Sequence, residues 1–231
     1  MSGQLDGKVV LVSGGESTLG RAAIERAARE GAQVVPIEAT APAVQNAAKR
    51  HGRLDALVNL LPDPLHWQPF VEKPEADFAD VFDAVRAVTN VMRAAYPHLK
   101  RTRGRVVNVG SMYGASAFAH ISDRITADYA LQGLSRAVGV EWAQEGVLVN
   151  YLGPGALDVP EFRAWHKLHP QAIDQRILGL ALQRLGDPVE DFGGALMFLL
   201  SDESCFIVGH PVFADGGQHL VAPVFEPGAN L

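Results

Sequence analysis

Cysteine is almost missing from these 231 residues: Cys205 stands alone, so no internal disulfide can form and core packing must hold the chain, as expected of a protein in a reducing cytoplasm. A basic excess is missing too. Twenty Lys and Arg against 26 Asp and Glu leave a net charge of −6, which argues against a nucleic acid or an anionic membrane surface as partner and leaves a small molecule as the expected one. No apolar run approaches the ~20 residues of a membrane span, no charged-then-apolar leader precedes the first strand, and no repeat or low-complexity stretch stands out. No metal site is expected. What remains, 48% hydrophobic and 20% charged, suits one well-buried α/β domain over residues 1–231 and is short for two.

The informative stretch is residues 105–155. Two β-branched runs, residues 106–109 and 147–152, bracket a helical segment in which Leu131, Leu134, Val138 and Trp142 recur at helical spacing. This is a strand–helix–strand crossover. Gly110 and Ser111 end the first strand and Gly153, Pro154 and Gly155 end the second, so both loops emerge at the carboxyl ends of parallel strands, where open α/β sheets bind ligands.

Upstream, residues 8–13 read as a buried strand running into Gly14-Gly15-Glu16-Ser17-Thr18-Leu19-Gly20 and then a helix stopped by Gly31. Strand, glycine-rich turn and helix present backbone N–H groups and a helix N-terminus to a phosphate. Glu38, closing the strand at residues 33–37, stands where a carboxylate accepts from a ribose diol; a solvated strand-end glutamate is the other reading. One helix over residues 43–51 and a buried strand over 54–61 follow. Pro62, Pro64 and Pro69 mark a loop whose His66 and Trp67 either overhang the crevice or pack. Asp77 is placed to cap a helix ending near Pro97, whose stripe of Phe78, Val81, Phe82, Val85, Val88, Val91, Met92 and Ala95 is core or subunit interface. Residues 156–186 read as a flap-like insertion or an ordinary surface helix. Asp187, Pro188 and a capping-box Glu190 open the last helix, residues 211–214 form a last strand, and residues 220–231 are a C-terminal tail.

Four features together resemble the short-chain dehydrogenase/reductase family from about Leu5 to His219: Ser13-Gly14 through Gly20, the run from Arg105 through Asn108 to Gly110-Ser111, Val149-Asn150 through Pro154-Gly155, and Gly209 through Asp215-Gly216-Gly217. The resemblance implies a Rossmann-like doubly wound parallel sheet, assembly as dimers or tetramers, and NAD(P)-dependent oxidation of alcohols or reduction of carbonyls. It implies a cofactor cradle of Ser13, Gly14, Thr18, Leu19, Gly20, Glu38, Asn59, Pro154 and Gly155, and Ser111 as the hydroxyl that holds the carbonyl.

The same alignment puts other residues where the family has its remaining catalytic groups. The tyrosine position falls on Arg124, the lysine position on Asp128 and the asparagine position on Ala84. Tyr129 lies five positions on, turned away by ~100° per residue, with Gly133 where a lysine would be needed. Arginine donates no proton near neutral pH, its pKa lying above ~12. Arg124 and Asp128 form an i,i+4 pair of opposite charge, read either as a salt bridge filling the slot or as an anion holder beside Ser111. The middle glycine of the phosphate turn is Thr18, the family's Asn-Asn-Ala-Gly is Asn59-Leu60-Leu61-Pro62, and the passage from Glu38 to Leu54 has room for one helix. The usual third, edge strand is therefore expected to be missing, leaving about six strands and weak or absent NAD or NADP binding. Three functions follow: a divergent oxidoreductase in which Tyr113, Tyr151 or a water replaces the lost acid; a non-redox enzyme resembling the halohydrin dehalogenases; and an inactive homologue that binds a ligand or a partner subunit.

Overall fold

The computed structural model describes residues 3–62 and 67–220; Pro64 and His66 of the proline-marked loop, and the tail beyond Leu220, lie outside the described residues. Six parallel strands, numbered in chain order with β4 at Arg105–Val109, form one sheet in the order β2-β1-β3-β4-β5-β6. Strands β1 (Val9–Ser13), β3 (Ala56–Leu60) and β5 (Leu148–Pro154) are buried at every residue, as a central parallel strand covered on both faces must be. The edge strands β2 (Gln33–Ile37) and β6 (Pro211–Ala214) are only partly covered. Pro36 sits on the outer strand β2, where a missing N–H costs least.

Helices α2 (Ala41–His51), α3 (Glu75–Thr102) and α4 (Ser122–Ala143) pack on one face around Leu57, Val91, Leu99, Val106 and Leu131. Helices α1 (Thr18–Arg29) and α7 (Gly193–Leu200) pack on the other around Val10, Val107, Phe192 and Leu196. Each such fully buried side chain is worth ~1.5–3 kcal/mol, so both layers are firmly held. The single crossover helix α2 carries the chain from β2 past β1 to β3, and the switch in strand order falls between β1 and β3. The six-stranded sheet without a further edge strand agrees with the short passage after Glu38.

Three local expectations are corrected. Asp77 does not cap α3: the helix begins at Glu75 after Pro74, and the Asp77 N–H donates to the Pro74 carbonyl. Nor does α3 end near Pro97. It runs one turn further because Leu99 is fully buried and the Thr102 hydroxyl donates to Leu54 O at 2.6 Å, so packing outweighs the lost proline hydrogen bond. At the last helix Asp187 caps as expected, accepting from the N–H groups of Val189 and Glu190, but Asp191 returns the bond to the Asp187 N–H. Glu190 instead pairs with Arg26 and Arg29 of α1.

Residues 156–186 leave the sheet after β5 and carry α5 (Pro160–Leu168) and α6 (Pro170–Leu178). A parallel bridge between Leu157 and Gly186 closes the excursion at its base, and α5 buries none of its residues.

Candidate functional site

Strand register places Ser13, Asn59, Asn108 and Tyr151 in one row across the sheet, near its carboxyl edge. The turns leaving that edge bring Gly14, Ser111, Gly155 and Asp215 to one side of the molecule, as the sequence predicted for all but the last. Asn59, expected to line the cofactor crevice, is fully buried and donates to Asn108 Oδ1 at 2.9 Å; Asn108 donates in turn to the Ser135 hydroxyl at 2.9 Å.

Ser111 follows β4 (Arg105–Val109) and caps a helical turn, Met112–Ala115, accepting from the Tyr113 N–H. From α4, residues three and four apart turn Arg124, Asp128, Leu131 and Ser135 to the buried side. The Ser111 hydroxyl donates to Asp128 Oδ2 at 2.5 Å and the Ser111 N–H donates to Asp128 Oδ1 at 2.9 Å. The Tyr151 phenol lies 3.0 Å from Asp128 Oδ1 and 2.8 Å from the Ser111 carbonyl. Arg124 Nε donates to Asp128 Oδ2 at 3.0 Å, while its Nη1 reaches Pro62 O, beyond β3, at 2.6 Å. Arg124 is 1% exposed, Asp128 0%, Tyr151 1% and Ser111 6%, so the network is shut away from water.

Close approach requires Gly110, where a Cβ would lie 2.2 Å from Asp128 Oδ1 and 2.3 Å from the Tyr151 oxygen. Burial first, and then the charge of Asp128, push the Tyr151 phenol well above its ordinary value, so it stays protonated at neutral pH. A higher value makes the phenol a weaker proton donor, and its hydroxyl is already engaged by the Ser111 carbonyl and Asp128. Tyr113 is edge-on to Phe118, and Tyr129 is 55% exposed on α4.

The glycine-rich turn folds as its residues predict. Gly14 has φ +81°, and a Cβ on Gly20 would lie 2.2 Å from Gly14 O, so α1 can approach β1 only with glycine there. Ser17 caps α1, accepting from the Gly20 N–H at 3.0 Å. The Thr18 hydroxyl donates to Glu161 Oε1 of α5 at 3.2 Å. Ser13 is buried, Leu19 half-buried against the α1–α7 core, and Glu38 exposed beyond β2. Gly155 donates to Ala214 O, and a Cβ there would meet Met112, Asp215 and Gln218.

Two pairs escaped the sequence reading. Lys73 Nζ lies 2.9 Å from Asp123 Oδ1 with both side chains fully enclosed, one residue from Arg124. Asp215 Oδ2 lies 2.7 Å from His219 Nδ1 beside Gly155. The spacing of four between Asp215 and His219 could have flagged the second, although a glycine turn and not a helix joins them; nothing in the sequence pairs the first, whose partners are 50 positions apart. Among the described residues no group of three or more His, Cys, Asp or Glu is placed to hold a metal, and no helix is long and apolar enough to cross a membrane.

A doubly wound parallel sheet with a glycine-rich turn at its first strand and a serine at the end of β4 defines a Rossmann-type dehydrogenase scaffold. Residues 8–219 match the family model described as enoyl-(acyl carrier protein) reductase. The chain is 27% identical over 247 residues to dehydrogenase/reductase SDR family member 6 of Xenopus laevis, spanning 94% of this chain and 100% of that protein. It is 28% identical over 179 residues to a 12alpha-hydroxysteroid dehydrogenase of a Clostridium species, spanning 76% of this chain and 68% of that protein. Among solved structures, the Thermoplasma acidophilum aldohexose dehydrogenase superposes with a TM-score of 0.85 at 25% identity, covering 98% of this chain and 100% of that one. A protein described as a dehalogenation enzyme superposes with a TM-score of 0.86 at 25% identity, covering 93% and 99%. The chain belongs to the short-chain dehydrogenase/reductase family. Its homologues support an oxidoreductase-like function, and members of the family generally bind NAD or NADP.

Proposed function

We propose that this chain is a homologue of the short-chain dehydrogenases and reductases that lacks ordinary hydride-transfer activity and works as a ligand-binding or partner subunit. The observation that carries this reading is the 2.5 Å bond from the Ser111 hydroxyl to Asp128. A serine has one proton to donate. Here it goes to a buried carboxylate, in a charge-assisted bond stronger than a neutral carbonyl would offer. Arg124 and Asp128 satisfy each other where the family's chemistry calls for a phenol and an ammonium group, and a salt bridge filling that slot is the reading the geometry supports.

The residues present do not fit a tightly held dinucleotide. A carboxylate, Glu161, faces the phosphate turn, and Arg124 ties α4 to Pro62 across the space between β3 and β4. Among the described residues no further strand flanks β2 for an adenine to rest against. As partner we infer a second copy of this chain in a dimer or tetramer, docked through α3 and α4. Phe82 and Tyr129 are about half exposed there, and Met92, Tyr96, Leu134, Val138 and Trp142 line a cavity of about 330 Å³ between the two helices. A cytoplasmic location is consistent with the lone, exposed Cys205 thiol.

The test is turnover of aldehydes, ketones and alcohols with NADH, NADPH and their oxidised forms, run beside light scattering for mass. The reading expects no turnover and a mass above that of one chain. Nicotinamide-dependent turnover that disappears in Ser111→Ala would overturn it. A second reading, a non-redox enzyme, draws on Ser111 beside Arg124 and on the similarity to the dehalogenation enzyme. It expects halide release from halohydrins without nicotinamide, lost in Ser111→Ala.

A further inference from the structure

The phosphate turn differs from an open anion site in one respect: α5 is docked on it. Thr18 is the first residue of α1, and its hydroxyl accepts from Arg21 Nη2 at 3.3 Å while donating to Glu161 Oε1 at 3.2 Å. Helix α1 has no acidic residue in its own first turn, whereas Glu161 stands in the first turn of α5. Glu161 thus stands in the first turn of its own helix and, through the Thr18 hydroxyl, against the first residue of α1, where a helix N-terminus favours negative charge. A glycine at position 18 would offer neither the hydroxyl nor the Cβ on which this contact depends.

The remaining contacts of α5 hold it at the mouth of the crevice without fixing it in the core. Asp158 receives Arg163 through two bonds, of 2.6 and 2.8 Å, at the start of the helix. His166 lies 2.9 Å from Asp174, joining α5 to α6. The segment is pinned at its base by the Leu157–Gly186 bridge, and no residue of α5 is buried. Displacing it exposes little apolar surface, so lifting it is cheap compared with opening either core layer.

We propose that Glu161 is a built-in occupant of the anion position at the head of α1, so that α5 and a pyrophosphate-bearing ligand compete for one site. This deepens the reading that dinucleotide binding is weak by naming a cause for it, and it is separable from the closed Ser111 network. Removing the Glu161 charge changes binding and leaves proton chemistry where it was.

The experiment is calorimetric titration of the full chain with inorganic pyrophosphate and with ADP. Wild type is compared with Glu161→Gln, Thr18→Gly and, as a control on the far edge, Glu203→Gln. Glu161→Gln and Thr18→Gly should each bind at least about fivefold more tightly than wild type, the lower end of ordinary coupling between sites, and Glu203→Gln should match wild type. Hydrogen exchange of wild type should show the α5 amides exchanging faster when pyrophosphate is added. Equal affinity in wild type and Glu161→Gln, including no measurable binding by either, would overturn the proposal, as would α5 exchange indifferent to pyrophosphate. If Glu161→Gln gains affinity and also turns over carbonyls with NADPH, the inference stands and the proposed lack of hydride chemistry falls.

Discussion

Asp128 is the residue on which the buried network turns, because its two oxygens receive a hydroxyl, a main-chain N–H, a phenol and a guanidinium. Removing one donor and removing the acceptor should have very different costs. Ser111→Ala deletes one donor and leaves the others, and should lower stability by about 1–3 kcal/mol. Asp128→Asn takes the charge from the acceptor that all four donors share and breaks its buried ion pair with Arg124, and should cost more than Ser111→Ala, up to about 3–5 kcal/mol. Denaturant unfolding of both variants checks the order; a Ser111→Ala loss as large as that of Asp128→Asn would contradict it. At the start of the last helix, Asp191 is held down to about 2 from an ordinary 3.8, first by its bonds from Arg184 and further by the Asp187 N–H. A depressed carboxyl stabilises above its unfolded value and ceases to do so as pH falls through its folded value. Asp191→Asn should therefore lower Tm at neutral pH, with the gap from wild type closing as pH falls from about 4 towards about 2. The pair is partly exposed, so the gap should be modest.

Among the elements, strands and their order were the most legible part of the sequence. Residues 106–109 and 147–152 are valine-rich apolar runs interrupted only by Asn108 and Asn150, the near-continuous pattern of a parallel strand covered on both faces. The single helix after Glu38 could be read from length alone, and with it the six-stranded sheet. Helix ends were less legible because long-range packing sets them. Pro97 looks like a stop, yet Leu99 in the core and Thr102 bound to Leu54 draw α3 onward. The salt bridge of Arg124 with Asp128 followed from their spacing of four, since both partners lie on one helix. The engagement of Ser111 and Tyr151 with the same carboxylate did not, because it joins α4 to two strands. Lys73 with Asp123, and Thr18 with Glu161, were hidden for the same reason. The excursion carrying α5 and α6 is closed at its base and buries nothing from α5. Replacing Pro160–Leu178 by a short Gly-Ser linker should leave far-ultraviolet dichroism lower only by the lost helix and shift Tm by a few degrees at most. Collapse of cooperative unfolding would show that the excursion is part of the core.

Over the whole molecule, the carboxyl edge of the sheet is where such folds bind ligands, and two contacts made by this chain's own charged side chains lie there. Arg124 pairs with Asp128 beside the end of β4, and Glu161 accepts from Thr18 at the turn after β1. Both contacts are made by side chains the scaffold does not require, so under the proposed function the family fold persists without the family's chemistry. The most direct measurement is transfer of deuterium from deuterated NADH or NADPH to a pool of small aldehydes and ketones, read by mass spectrometry against an enzyme-free control. If the Ser111 hydroxyl is held by Asp128, no labelled alcohol should form above that control at any cofactor concentration reached. Labelled alcohol formed by the wild-type chain and abolished by Ser111→Ala would show that the serine hydroxyl is free to hold a carbonyl, and would contradict its engagement by Asp128.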